Sequence, residues 1–600
     1  MRKNVRNRLA STVGSLTLSA LALTSLLGFA RASTPSSSIA ILSEDFWQGS
    51  LEASPTFATS VGDPRYDDRL ADITPAGVKR DTARLQGVLE RAREISDAAL
   101  SEADRLTRTA LITELENQLA QISCRFEEWV VDPMGGPQVM LMSLPDYTII
   151  ETPKDAANFV KRIGASGRYL DAHIANLVTG LEDGRVASRA AVQKTIDQLD
   201  RLAKTPDESL AVWKPALAEH PGWTSADRGR FSKDLRAAIA TTLRPALARY
   251  QALLSTRVLA AARSPEKAGL ASLPGGIDCY RSMIRAHTSL DLDPRDLHQI
   301  GLSEVAKFRH DLAALGQSVL GTSDVAEIQK RLRESPETHF KTSSEVESKA
   351  RETLARAQAV VPLWFGRVRP KAPCEVKVMG MHEAPYSTIA YYRQPSADGR
   401  RPGTYMINTY LPETRPRYEA EALAFHEAVP GHHLQIAVAQ ELSDIPEFRK
   451  HMGVTAFVEG WGLYSERLAD EMGLYSTGLD RLGMLSYDAW RSCRLVVDTG
   501  MHADGWSRQQ AIDYMTENSL LAENNIANEV DRYLTWPGQA LAYKMGQIEI
   551  LRLRDEAKKE LGPRFDIRAF HDAVLGNGAV SLPVLRQQVE AYIKGALVTP

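Results

Sequence analysis

Cysteine is scarce in this chain. The 600 residues include four, Cys124, Cys279, Cys374 and Cys493. They are widely spaced and form no Cys-x-x-Cys pair, which excludes a cysteine-based metal knuckle. In an exported protein they allow up to two disulfides, with three possible connectivities, and buried free thiols are an equal alternative. The sequence therefore leaves their pairing open.

Runs of basic residues are absent after the first 32 positions. The formal net charge of the whole chain is −3. Residues 1–32 contain five Lys or Arg and no acid, so their removal leaves −8. With no basic patch in the remainder, we expect no nucleic-acid partner.

Long apolar segments are also absent, except in the leader at residues 1–32. Four basic residues among the first eight precede a mostly apolar stretch from Ala10 to about Ala30, and Ala30-Arg31-Ala32 supplies the small residues of a cleavage site. We predict a signal peptide at 1–32 and an exported protein, periplasmic or secreted, without stable membrane insertion. The alternative is an uncleaved anchor, which the interspersed Ser, Thr and Gly disfavour. No Cys lies near the leader, which argues against a lipoprotein.

The rest of the chain contains no low-complexity linker, so we expect one globular unit of two subdomains, 33–371 and 372–600. Helical periodicity dominates both. Residues 33–75 are predicted to be irregular apart from a short helix in the initial SSSIAILSEDFWQGSLEASP, and 131–154 are predicted to form a loop lining a cleft. The segments PCEVKVMG, STIAYYRQ and GTYMINTYL, between 373 and 411, alternate as strands do. The predicted fold class is mainly α, with a small β-sheet beside the cleft.

Histidines cluster in one stretch, EALAFHEAVPGHHLQ at 421–435. Neutral imidazole is a common zinc ligand, and a neighbouring carboxylate can act as a general base. His426 and Glu427 follow a segment of good helix formers and are predicted to lie on a helix. The alternative is a helix end with surface histidines.

The spacing of these histidines differs from the usual zinc helix, whose ligands lie at i and i+4. Here i+4 is Pro430, and on an ideal helix His432 would point about 120° away from His426. Pro430 and Gly431 must kink or bulge the helix, which can bring His432 back beside His426. His433 is the alternative second ligand. Glu459, in the helical segment TAFVEGWGLYSERLADE, is the predicted third metal ligand.

Four ordered motifs carry a family resemblance: HEAVPGHHLQ, FVEGWGLYSE, RLVVDTGMHADGW and PGQALAYKMG. Together they resemble the bacterial domain of unknown function 885, whose signature is His-Glu-x-x-Pro-Gly-His. That family is in turn similar to helical zinc peptidases such as angiotensin-converting enzyme, thimet oligopeptidase and the thermostable carboxypeptidases. Dipeptidyl peptidase III is a precedent for a longer His-to-His gap. The resemblance implies a zincin-like helical fold and an exported Zn²⁺-dependent peptidase acting on short peptides.

In that interpretation Glu427 is the general base and Tyr543 the first candidate donor to the oxyanion. His502 is the second candidate, placed near the site by the resemblance alone. Glu466 is expected to orient a ligand histidine.

Two arginines of the same region receive separate predictions. Arg491 is a candidate for holding a substrate carboxylate. Arg494 and Asp498 are expected to form an intrahelical ion pair.

Other classes of protein remain open. No Gly-x-Ser-x-Gly elbow or paired Cys/His motif supports covalent catalysis. A metal-binding protein without catalysis is one alternative, and a zinc amidase acting on non-peptide or cell-wall amides is another. The sequence does not predict an oligomeric state.

Overall fold

The computed structural model describes residues 35–385, 387–451 and 453–598. The predicted signal peptide at 1–32 lies outside the described residues. The protein is mainly helical with one small three-stranded sheet, which confirms the predicted fold class.

The helices before the sheet are α1 (Pro35–Ala53), α2 (Pro55–Val61), α3 (Pro75–Glu94), α4 (Glu102–Ser123), α5 (Pro137–Ser143), α6 (Pro153–Glu182), α7 (Arg189–Lys204), α8 (Lys214–Leu217), α9 (Ser225–Ala238), α10 (Arg244–Leu253), α11 (Leu259–Ala261), α12 (Gly276–Thr288), α13 (Pro294–Leu320), α14 (Val325–Glu334) and α15 (Ser343–Trp364). The strands are β1 (Cys374–Val378), β2 (Ala390–Arg393) and β3 (Gly403–Ile407). The helices after the sheet are α16 (Ala420–Glu427), α17 (His432–Glu441), α18 (Glu447–His451), α19 (Thr455–Glu471), α20 (Gly478–His502), α21 (Arg508–Asn518), α22 (Glu523–Thr535), α23 (Gln539–Leu561), α24 (Ile567–Leu575) and α25 (Leu582–Val598).

The sheet has the order β1-β3-β2 and coincides with the three predicted strand segments. β1 runs parallel to β3, with Val376 opposite Tyr405. β2 runs antiparallel to β3, with Tyr392 opposite Tyr405. β2 is therefore an edge strand: in the part of the chain that the structure describes, no strand pairs with its outer side, which leaves an edge of the kind that an extended chain can join.

Local signals explain where many helices begin. At the start of α6, the Thr152 side chain accepts a hydrogen bond from the Asp155 backbone N–H, and Asp155 accepts one from the Thr152 backbone. Pro153 occupies the first helical position, where its missing N–H costs nothing. The same capping box starts α9 and α21.

The helix predicted at the start of 33–75 is present as α1 but is longer than expected, and α2 follows it where irregular structure was predicted. Ile39, Leu42 and Phe46 recur on one face of α1 and are buried. Phe46 meets Phe448 edge to face, with ring centroids 5.5 Å apart. The partner is some 400 residues away in sequence, so the packing that stabilises the full length of α1 could not be predicted from its own segment.

The centre of the molecule is built from long helices in close contact. α20 is buried over most of its length and packs against α13. α19 packs against α23 at two glycines, since a Cβ on Gly460 would lie 2.4 Å from the Cα of Gly546. Without side chains there, the two backbones approach closely and hold α19 in a fixed position.

Hydrophobic packing crosses residue 371. Leu354 and Phe365 belong to the same buried cluster as Phe425 and Trp461. The two segments therefore share core residues. The subdomain boundary itself stays a prediction.

Cys124 and Cys279 form a disulfide that joins the end of α4 to α12. Cys374 is partly buried and Cys493 buried, both with free thiols. None of the helices in the described part of the chain combines the length and apolar character that crossing a membrane would require.

Candidate metal centre

The helix that carries His426 ends at the next residue. α16 stops at Glu427, Ala428 leaves the helical conformation, and α17 begins at His432. The predicted kink at Pro430 is therefore a complete break between two helices. Since Pro430 cannot donate a backbone hydrogen bond, the chain turns here before it resumes a helix.

Gly431 makes this turn sterically possible. A Cβ at this position would lie 1.8 Å from the carbonyl oxygen of His426, so only glycine fits. The carbonyl oxygen of Pro430 accepts hydrogen bonds from Trp461 Nε1 at 2.9 Å and Ser465 Oγ at 3.3 Å. The break is thus held against α19, which carries the third predicted metal ligand.

His426, His432 and Glu459 come together as the sequence suggested. Each offers one ligand atom, and the three atoms lie within 4.8 Å of one another. Glu459 Oε2 is 3.5 Å from His426 Nε2 and 3.2 Å from His432 Nε2. Ligand atoms bound tetrahedrally to zinc lie roughly 3.4 Å apart, so these separations suit a zinc ion.

The hydrogen bonding and charge of the triad also fit a cation. Glu459 Oε2 is buried and has no hydrogen-bond partner among the described residues, although it faces both imidazoles. Burial lowers the pKa of His426, but contacts with the carboxylates of Glu459 and Glu466 outweigh it and raise the pKa to about 9. Burial raises the pKa of Glu459, but the attraction of His432 and His426 holds it well below its usual range. The site favours positive charge between the three ligand atoms.

Glu466 has the position expected of a residue that orients a ligand. Its Oε1 lies 2.8 Å from His426 Nδ1, which leaves Nε2 directed at Glu459. Both side chains are almost completely buried. Gly462, one turn earlier on α19, makes room for the imidazole, because a Cβ there would lie 2.7 Å from the His426 ring.

His433 points away from this centre. Its Nδ1 is 2.9 Å from the Tyr392 hydroxyl and its Nε2 is 3.0 Å from the Ala372 carbonyl oxygen. With both ring nitrogens engaged, His433 serves to join α17 to the sheet region. The geometry favours His432 as the second ligand.

A cavity of about 530 Å³ opens on the three ligands. Glu427 and Tyr543 line it beside them. One wall is β2 with the residues before it, so the sheet lies next to the cavity, as predicted. Residues from the 131–154 segment also line it, but part of that segment is helix α5 and not the predicted loop.

The Tyr543 hydroxyl is oriented by two donors. It accepts hydrogen bonds from Arg532 Nη2 at 3.2 Å and Gln539 Nε2 at 3.3 Å. Its ring stacks on His426, with centroids 5.9 Å apart. Because the hydroxyl oxygen already accepts two hydrogen bonds, the hydroxyl can donate its own proton in a hydrogen bond to a group in the cavity.

His502 does not belong to the cavity, which contradicts its predicted role. Its Nδ1 accepts a hydrogen bond from the Leu270 backbone N–H at 3.1 Å, and its Nε2 lies 3.0 Å from the Tyr533 carbonyl oxygen. The side chain is fully buried, and burial lowers its pKa to about 3. His502 is a structural residue, and resemblance alone could not place it.

The predicted ion pair between Arg494 and Asp498 is also wrong. Arg494 Nη2 pairs with Glu529 at 2.7 Å. Asp498 accepts hydrogen bonds from the Tyr280 hydroxyl at 2.6 Å and the Gly538 N–H at 3.2 Å. Tertiary partners on other helices replace the i, i+4 contact.

Sequence reasoning missed two side chains of the cavity wall. Arg494 and Arg532 line the cavity together with the predicted Arg491. Both lie in helical segments, but a single sequence does not show which face of such a helix borders a cavity.

Fold and site together define a helical protein with a His-His-Glu group at a cavity that could hold a metal ion. The family model for "Bacterial protein of unknown function (DUF885)" matches residues 55–589. The chain belongs to this family, which confirms the resemblance seen in its motifs.

Two solved structures are similar to this chain over nearly its whole length. One is "the putative lipoprotein from Colwellia psychrerythraea", with 26% identity, a TM-score of 0.86, and coverage of 94% of this chain and 100% of that chain. The other is "a putative lipoprotein of unknown function from Shewanella oneidensis", with 19% identity, a TM-score of 0.69, and coverage of 92% and 99%. Both have the fold described here.

A weaker similarity links the chain to "a putative oligoendopeptidase F from Bacillus anthracis str. Ames", with 12% identity over 86% of this chain and 94% of that chain. Its TM-score of 0.27 is too low to support an argument about fold or function. Among curated proteins, none matches this sequence significantly.

Proposed function

We propose that this protein is an exported zinc-dependent peptidase that hydrolyses peptide bonds in short peptides. The observation that carries the proposal is the convergence of His426, His432 and Glu459 at a cavity that Glu427 also lines. A site that only stabilises the fold has no need of a general base beside its ligands. A zinc ion held by the three ligands would supply a Lewis acid that activates water and polarises the substrate carbonyl.

The remaining steps fall to the protein's own side chains. Glu427 accepts a proton from the attacking water and passes it to the amine that leaves when the C–N bond breaks. Tyr543 donates its hydroxyl proton as a hydrogen bond to the oxygen that becomes negative. Glu466 keeps His426 in the orientation that directs Nε2 at Glu459. β2 offers its free edge to an extended substrate backbone.

The cellular location is part of the proposal. The leader pattern at 1–32 supports export, as do relatives described as lipoproteins. The Cys124–Cys279 disulfide adds support, because disulfides persist in oxidising compartments.

Zinc content tests the ligand set directly. We expect about one zinc per chain by elemental analysis of the purified protein. His432→Ala removes a ligand and should lose most of that zinc. His433→Ala is the matched control, because it deletes the neighbouring imidazole but leaves the ligands in place, and it should keep the metal. The reverse result would exchange the two assignments.

Digestion of a peptide library, with and without a chelator, tests the activity. Cleavage that the chelator abolishes and zinc restores is the expected result. Bound zinc without cleavage of any peptide would favour the metal-binding protein without catalysis. Cleavage confined to non-peptide or cell-wall amides would favour the zinc amidase.

A further inference from the structure

Three arginines form one wall of the metal cavity. Arg491 and Arg494 lie on α20 and Arg532 lies on α22, and all three line the cavity beside Tyr543. They are 3%, 1% and 8% exposed. A buried guanidinium is costly unless it is paired or has a ligand to bind.

The acidic groups around these arginines do not use all of their donors. Glu529 lies between two of them, 2.7 Å from Arg494 Nη2 and 3.6 Å from Arg532 Nη1. Arg491 Nη2 is 3.8 Å from Glu466, which also contacts His426.

Four buried guanidinium nitrogens remain without a partner among the described residues: Arg491 Nε and Nη1, Arg494 Nη1 and Arg532 Nε. The wall therefore carries unpaired donors and an excess of positive charge.

Aromatic rings hold two of the guanidinium planes. Arg491 lies over the Trp490 ring at 4.1 Å and the Tyr487 ring at 4.5 Å. Arg494 lies over the Trp490 and Tyr543 rings, at 4.4 Å each. Stacked guanidinium groups lose little freedom on binding and match the geometry of a carboxylate.

We propose that this arginine wall binds the free C-terminal carboxylate of the peptide whose scissile bond lies at the metal centre. The protein is then a carboxypeptidase-type enzyme, which requires a substrate with a free C-terminus and releases the C-terminal fragment. This inference rests on the proposed function. Arg491 is the main specificity residue, because both its Nε and its Nη1 are unpaired.

The kinetic test uses one mixed-sequence tetrapeptide library made in two forms, with a free C-terminal carboxylate and with a C-terminal amide. The wild type should cleave the acid form about 10- to 100-fold faster, the range for charge-assisted hydrogen bonds. Arg491→Met keeps an apolar chain against Trp490 and should lower cleavage of the acid form to that of the amide. Compared with Arg491→Met, Arg491→Lys should recover part of the preference, since lysine restores the positive charge but cannot donate the two parallel hydrogen bonds of a guanidinium.

A matched control separates this effect from the general loss of a buried arginine. Arg263 is also buried, also lies over a tryptophan and also has two unpaired nitrogens, but it is outside the cavity. Arg263→Met should keep the preference for the acid form. Zinc content should be unchanged in all three variants.

A binding measurement keeps the two proposals distinguishable. N-acetyl-tetraalanine and its C-terminal amide are titrated calorimetrically into the zinc-loaded Glu427→Gln variant, alone and combined with Arg491→Met. Tighter binding of the acid, lost with Arg491→Met, supports the carboxylate site even if the wild type cleaves no peptide. Equal cleavage of acid and amide overturns the carboxylate site and leaves the peptidase proposal standing. If the wild type cleaves neither form and the Glu427→Gln variant binds the acid and the amide equally, both proposals are overturned.

Discussion

Two Pro-Gly pairs break helices at the edges of the same cavity, and they use glycine for different reasons. Pro430-Gly431 separates α16 from α17, and Pro537-Gly538 separates α22 from α23. Gly431 has φ −77°, which any residue can adopt, but a Cβ would lie 1.8 Å from the His426 carbonyl oxygen. Gly538 has φ +81°, while its Cβ would lie 3.1 Å from the nearest atom, in Met283.

The two breaks also supply different parts of the site. The first places Glu427 and both histidine ligands around one turn of the chain. The second places Arg532 before the break and Tyr543 after it, so that they meet at the Tyr543 hydroxyl. Pro430-Gly431 thus serves the metal ligands by a close backbone approach, and Pro537-Gly538 serves Arg532 and Tyr543 by a left-handed backbone conformation. Mutations on the two sides should accordingly have separable effects.

The largest expected effect is on the first side, in Glu427→Gln. The amide is nearly the same size as the carboxylate but cannot accept the proton of water at neutral pH. Peptide hydrolysis should fall by the ~10²–10⁴-fold typical of a lost general base, with zinc content unchanged. Activity is measured on a peptide that the wild type cleaves.

Glu421→Gln is the control for that variant. Glu421 is a buried carboxylate on the same helix but outside the cavity, and it pairs with Lys349 and Arg356. Its loss should lower stability and leave the chemical step intact. Full activity in Glu427→Gln would show that the cavity is not a zinc-peptidase site of this kind.

On the second side, Tyr543→Phe should have the next largest effect. Removing one oxyanion donor costs at most about 3–4 kcal/mol in the transition state, and zinc would still polarise the carbonyl. We expect kcat to fall more than KM changes, with no loss of metal.

Tyr464→Phe is the matched control, because its hydroxyl bonds to His571 Nε2 at 2.8 Å and not to a cavity residue. Equal losses of kcat in the two variants would argue against a role for Tyr543 in catalysis.

Gly431→Ala should lower both stability and zinc affinity. The added Cβ meets backbone carbonyls that cannot move without separating α16 from α17. Forcing extra atoms into a packed site typically costs about 1–3 kcal/mol. Thermal unfolding and metal titration of one preparation measure both effects. Unchanged zinc affinity would show that the ligands do not depend on this close approach.

The smallest expected effect is that of Gly538→Ala. A left-handed conformation costs a non-glycine residue about 1–2 kcal/mol, and the space around the Cβ requires little movement. Stability should fall by that amount while zinc affinity stays at the wild-type level. A loss of zinc equal to that in Gly431→Ala would remove the distinction between the two breaks.

The sequence was most informative where local chemistry decides the structure. Pro430 and Gly431 dictate a helix break by sterics alone, and from that break the position of His432 beside His426 could be anticipated. Glu459 was recognisable as a carboxylate among large apolar neighbours on a helix. The three strands could likewise be predicted from their alternating apolar and polar residues.

Prediction failed where partners are remote in sequence. Asp498 accepts hydrogen bonds from Tyr280 and Gly538, which lie on other segments of the chain. His502 is surrounded by backbone groups of two other segments. Arg532 enters the cavity because of how α22 packs, and periodicity does not reveal that packing. A single sequence predicts which residues share one face of a helix, but it does not predict which helix faces pack against each other.

The free edge of β2 has a consequence for the chirality of substrates. An extended peptide that pairs with this strand presents successive side chains to opposite faces of the sheet. Inverting one α-carbon exchanges the side chain with its hydrogen, so a D-residue would direct its side chain to the wrong side of the paired backbone. On the proposed function, a substrate paired with this wall would be selected as an L-peptide by handedness before any side chain is recognised, and bacterial cell-wall peptides rich in D-residues would match the wall poorly.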